Sequence, residues 1–153
     1  MTQLSPHFTL EELTHSDTAT RHGISNMPLP AHLANMKAHL APGLEALRAL
    51  LGGGPLNVHD AYRCPDVNHL VGGTPTSAHP LGLAADIDVP GQAPEATACA
   101  IAAAMKGGGI RIDQLIFESG RNTVHVSFDP RARGMMGRQP AGPGTPIDWE
   151  YFA

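Results

Sequence analysis

The sequence predicts an α+β domain, a small antiparallel sheet packed on helices. Three observations predict it. An apolar stripe of helical period runs through the first third of the chain, short alternating runs follow, and two such runs flank a four-residue turn further on. The resulting order is helices, strand, strand, helix, hairpin. No internal repeat and no linker-like segment divides the 153 residues, so 1–153 reads as one domain.

"HFTLEELTHSD" opens a short helix. Thr9 and Glu12 have capping-box spacing, with Phe8 and Leu13 placed as a hydrophobic staple. "SNMPLPAH" breaks the chain. Leu33, Met36, Leu40, Leu44, Leu47 and Leu51 then recur every three or four residues, the stripe of an amphipathic helix. Pro42 should kink or split that helix near Ala41, and "LGGGP" should end it. "PLNVHDAY" is a strand with Leu56 and Val58 on one face. "RCPDVNHLVGGTPTSAH" is loop with one helical turn. "LAADIDV" is a strand whose Asp86 and Asp88 share a face. "PEATACAIAAAMKGGG" is a compact helix stopped by glycines. "DQLIFESGRNTVHVSF" is a hairpin around "SGRN". "RARGMMGRQPAGPGTP" should lie irregularly over the body, with "DWEYF" clipping the end down.

Bulk properties narrow the function classes. A net charge of −4 gives no basic footprint for nucleic acid or an anionic membrane. No run approaches the roughly 18 apolar residues of a membrane span, so membrane insertion is not expected. "MTQLSPHFTL" has no charged segment followed by an apolar one, so synthesis in the cytoplasm without a signal peptide is the expectation. Cys64 and Cys99 are too few for a disulfide scaffold and read as idle thiols. Neither sits in a nucleophile motif, and Ser77 and Ser127 lack a G-x-S-x-G setting.

Metal-ligand chemistry is the remaining signal. His79 precedes Asp86 by seven residues, and His125 lies on the second hairpin strand. Two histidines and a carboxylate are the three N/O ligands that a catalytic zinc takes beside an open position. Gly82 lets the chain swing from the His79 turn into the strand. Asp88 could orient a ligand from behind or be a solvated strand-end charge. Nine histidines are present, and His59 and His69 are rival ligand positions. If "SGRN" is the turn, Glu118 pairs with Thr123 and Ile116 with His125. Glu118 then lies diagonal to His125 on the same face, a carboxylate within reach of water on a metal. The bland reading is an exposed Glu at a hairpin end.

"AYRCPDVNHLVGGTPTSAHPLGLAADIDV", "IDQLIFE" and "VHVSF" together resemble the zinc D-Ala-D-Ala carboxypeptidase family of metallopeptidases, which includes phage endolysins. The likeness is closest to the phage-type branch and covers nearly the whole chain. It implies a hedgehog-related peptidase fold and one zinc ion held by His79, Asp86 and His125, within the pattern Ser77, His79, Gly82, Ala84, Asp86. It also implies that Arg63 lies beside the metal and contacts substrate.

Four positions depart from relatives: Asp60 and Ala61 where many have Ser-Gly before the Tyr-Arg pair, Thr123 where many have Trp, and Asn122 where some carry an acid. Glu118 is therefore the first candidate for general base and Asp60 the second. The resemblance implies a peptidoglycan stem peptide as substrate, cut at D-Ala-D-Ala or at L-Ala-D-Glu. Action at the cell wall or within a virion, with a phage particle as partner, follows from it. The alternative is a metal-binding or structural wall-binding module that keeps the fold and hydrolyses nothing.

Overall fold

The computed structural model describes residues 1–153. Strands β1 (Gln3–Ser5) and β2 (Phe8–Thr9) form a small antiparallel ribbon that leads into α1 (Leu10–Thr14). The cap is the one the sequence predicts: Thr9 Oγ1 accepts the Glu12 backbone N–H at 3.2 Å. Phe8 and Leu13, the predicted staple, are both buried in the core. Helix α2 (Asp17–His22) starts on Ser16, whose Oγ accepts the Ala19 N–H at 3.1 Å.

The apolar stripe forms α3 (Pro30–Asn35), a π-helical turn (Met36–Leu40) and α4 (Ala41–Leu50) in unbroken succession. Pro42 has no N–H to give to Ala38, so the regular ladder cannot run through. The helix does not split there. Instead Ala41 N–H bonds Met36 O, and one widened turn absorbs the mismatch. Met36, Leu40, Leu44 and Leu47 are fully buried on one side. Each such side chain contributes roughly 1.5–3 kcal/mol by leaving water.

The rest of the chain builds the main sheet. Strand β3 (Asn57–Asp60) is followed by α5 (Pro65–Leu70), which is longer than the single turn expected, and by a 3₁₀ turn (His79–Leu81). Then come β4 (Ala84–Asp88), α6 (Pro94–Lys106), β5 (Gln114–Glu118), β6 (Thr123–Ser127) and β7 (Met135–Arg138). Strand order is β3-β4-β6-β5-β7. The hairpin register is the predicted one, Glu118 opposite Thr123 and Ile116 opposite His125.

Two expectations need correction. The "MMGR" stretch, read as irregular tail, is β7, and it runs parallel to β5, so the sheet is mixed rather than wholly antiparallel. The end is clipped as expected: Arg138 and Asp148 exchange backbone hydrogen bonds of 3.0 and 2.8 Å, and Phe152 is buried.

Strand alternation divides the sheet into two faces. Ala85, Ile87, Leu115, Phe117, Val124 and Val126 join the helical leucines and Ala98, Ile101 and Ala102 of α6 in one core. The positions between them, Asp86, Glu118 and His125, fall on the opposite face. No helix is long and apolar enough to cross a membrane. Both cysteines are free.

Candidate metal centre

Pairing register brings the site together. Asp86 of β4 lies directly opposite His125 of β6. His79 arrives from the 3₁₀ turn, which closes at Gly82 in the left-handed region at φ +73°. A Cβ at Gly82 would lie 2.6 Å from His32 O and 2.8 Å from Met36 Cγ, so glycine is required by conformation and by space. Ser77 Oγ accepts the His79 N–H at 3.2 Å and steadies the turn.

One carboxylate oxygen is the focus. Asp86 Oδ1 lies 3.3 Å from His79 Nε2 and 3.2 Å from His125 Nδ1. The three donor atoms fall within 4.8 Å of one another, and all three residues are buried. His79 Nδ1 is 2.6 Å from the carbonyl oxygen of Ala61, which can only accept, so Nδ1 carries the proton. Nε2 therefore turns a lone pair toward Asp86 Oδ1 unless a second proton sits on it. Two acceptors cannot face each other in a buried site without a cation between them. A proton or a metal ion meets that need, and the two compete for it. The N/O donor set of two imidazoles and a carboxylate fits zinc. Burial alone would raise the Asp86 carboxyl. With a proton as that cation, the His79 charge and the hydrogen bonds from His125 and His79 instead hold it well below the usual carboxylate range.

A polar cleft of about 530 Å³ opens over this cluster, lined by Arg63, His79, Glu118, Arg121 and His125. Glu118 is only 6% exposed, and its Oε1 has no hydrogen-bond partner. Burial, then the nearby Asp86 charge, push its carboxyl up to about 7 against the opposing pull of His125 and Arg121. A cation in the cluster would bring that value down again, so it belongs to the metal-free protein. Arg63 is buried, its Nη1 lies 3.1 Å from Asp60 Oδ2, and its Nε is without a partner.

Asp60 borders a second cleft on the other side of Asp86, and burial raises its carboxyl despite His79 and Arg63. The rival histidines lie apart: His59 Nε2 pairs with Asp88 Oδ2 at 3.1 Å, and His69 is exposed on α5. Asp88 thus contacts His59 rather than a residue of the cluster. Sequence reasoning missed Arg121, whose Nη2 is 2.9 Å from Asp86 Oδ2. Its three-residue spacing from Glu118 was the available signal, hidden because "SGRN" reads as turn chemistry.

The family model described as Peptidase M15 matches residues 6–127, from the first ribbon to the end of β6, and so includes every residue of this cluster. The chain belongs to the M15 peptidases. These are zinc enzymes of D-Ala-D-Ala carboxypeptidase-like type, so the M15 chain is a metallopeptidase with a buried His-Asp-His group able to bind a metal. No curated protein matches the chain. The β6–β7 connection, β7 and the tail, which lend Arg131, Arg133 and Gln139 to the lining of the cleft, lie beyond the matched span.

Proposed function

We propose that this M15 peptidase hydrolyses an amide bond in peptidoglycan stem peptides, as a D-Ala-D-Ala carboxypeptidase or an L-Ala-D-Glu endopeptidase. Residues 1–153 act as one catalytic domain of phage or prophage origin, working at the cell wall or within a virion. The resemblance of "TSAHPLGLAADIDV" and "VHVSF" to the phage-type branch supports that assignment.

The observation that carries the reading is the convergence of three metal-type donors at one point, two of them lining a cleft that a buried glutamate with a partnerless carboxylate oxygen and a buried arginine also line. His79, Asp86 and His125 would hold the ion. Zinc held there supplies Lewis acidity, both toward a carbonyl oxygen and toward water. Glu118 Oε1 accepts a proton from the attacking water and returns it to the leaving amine. Arg63, which lines the cleft, binds a stem-peptide carboxylate or the oxygen that gains charge as the carbonyl is attacked. A preorganised donor in that second role contributes about 3–4 kcal/mol. His79 is held by the Ala61 carbonyl, so it need not reorganise during the reaction. The partnerless Oε1 of Glu118 favours the enzyme over a module that holds metal and cleaves nothing.

The test is incubation with defined stem peptides, with and without a zinc chelator, read by mass spectrometry. Chelator-sensitive loss of one terminal alanine, or a cut after the first L-Ala, is expected. Intact peptides across stem chemistries, from protein that holds its metal, would overturn the reading.

A further inference from the structure

The turn between β5 and β6 does more than reverse the chain. Arg121 N–H bonds Glu118 O at 3.0 Å, and Asn122 follows in the left-handed region at φ +52°. Gly120 presses against the tail, where a Cβ would stand 2.3 Å from Pro140 O. The turn is thus held from outside, and its three-residue spacing folds the Arg121 side chain back over Glu118. Its Nη2 reaches Asp86 Oδ2 at 2.9 Å and Glu118 Oε2 at 3.5 Å. A single guanidinium therefore spans the carboxylate in the metal cluster and the carboxylate beside it.

That contact divides the labour between the oxygens of each acid. On Asp86, Oδ2 is taken by Arg121 while Oδ1 faces both imidazoles. On Glu118, Oε2 faces Arg121 while Oε1 is left without a partner. We infer that Arg121 is a positioning residue that presents Asp86 to the metal through one oxygen and aims Glu118 beside it. The inference rests on the metal-binding part of the proposed function. Without the guanidinium, Asp86 can turn both oxygens to the ion and fill a position needed for water or substrate. Glu118 would also lose the cation that holds it near a second buried acid.

The experiment compares the native chain with Arg121→Gln and Arg121→Lys. Zinc affinity is measured by competition with a chromophoric chelator, the visible spectrum is recorded with cobalt(II) in place of zinc, and kcat and KM are measured separately. Arg121→Gln should change zinc affinity by about 10-fold or more, since it frees the second Asp86 oxygen and removes a neighbouring positive charge. Its cobalt bands should change in intensity as the coordination number rises, and kcat should fall far more than KM changes. Arg121→Lys should lie between the two, since it restores the charge but not the fork.

Native affinity and a native cobalt spectrum in folded Arg121→Gln would overturn the inference. If that variant does not fold, a native affinity and spectrum in Arg121→Lys would do the same. A native chain that binds neither zinc nor cobalt overturns the metal reading and this inference together. A native chain that binds metal but cleaves no stem peptide overturns only the hydrolytic reading, and the metal data still decide the role of Arg121.

Discussion

Replacing Gly82 by alanine should destabilise the fold and the metal cluster together, because one backbone position serves both. The residue sits at φ +73°, immediately after the turn that carries His79. An L-residue in that region costs about 1–2 kcal/mol. The added Cβ would also stand 2.6 Å from His32 O, a backbone atom of α3, and 2.8 Å from Met36 Cγ in the fully buried core. Met36 can shift at its flexible end, but the carbonyl moves only with its helix. Overpacking of that kind costs about 1–3 kcal/mol. The combined loss is about 2–5 kcal/mol, a sizeable share of the roughly 5–15 kcal/mol that a domain has. Urea unfolding of the metal-free variant measures it directly, and the melting temperature should fall by roughly 4–20 °C. Zinc should bind more weakly as well, since relief of the clash displaces the His79 turn. A loss under about 1 kcal/mol with native zinc affinity would refute the reasoning that this turn is wedged against α3.

Two further outcomes follow from buried charge and from the metal. Asp113 accepts from Arg133 at its backbone N, Nε and Nη2 at 3.0, 2.9 and 2.8 Å, and these bonds hold its carboxyl below the usual range. Its stabilisation is therefore fully present above the unfolded value of about 3.9 and is lost as pH falls through the lower folded value. Asp113→Asn should cost about 1–3 kcal/mol at neutral pH, and the gap from the native chain should narrow in urea titrations carried below pH 4; a gap that stays constant contradicts the pairing. Zinc at a hundred times its Kd should add about 2.7 kcal/mol to the native chain, read as a raised melting temperature that a chelator reverses. His79→Ala should show no such rise.

The parts of this fold that were legible in the sequence are those where local pattern and tertiary environment agree. In "DQLIFESGRNTVHVSF" the alternation sets the faces and the turn length sets the register, so the position of Glu118 near His125 could be derived before any coordinates. "LAADIDV" gave β4 for the same reason, but its pairing with β6, which sets Asp86 opposite His125, lies in neither run and is seen only in the structure. Strand β7 was not legible. "MMGR" has no alternation, contains a glycine, and owes its conformation to a parallel partner, β5, some twenty residues back. The π turn was half legible: Pro42 announced a disturbance, but only packing of Met36 and Leu40 decided that the helix would widen rather than break. Arg121 escaped because its role depends on where a turn side chain points, which composition does not encode.

The central claim is that His79, Asp86 and His125 hold the metal while Glu118 moves the proton. Glu118→Gln separates these roles, because it keeps the shape of the side chain and removes only the basic oxygen. Zinc content and stem-peptide cleavage, measured on the same preparation of that variant, test the claim most directly. The account predicts one zinc per chain, as in the native protein, with cleavage reduced about 100-fold or more. Native cleavage by the variant, or loss of its zinc, would contradict it.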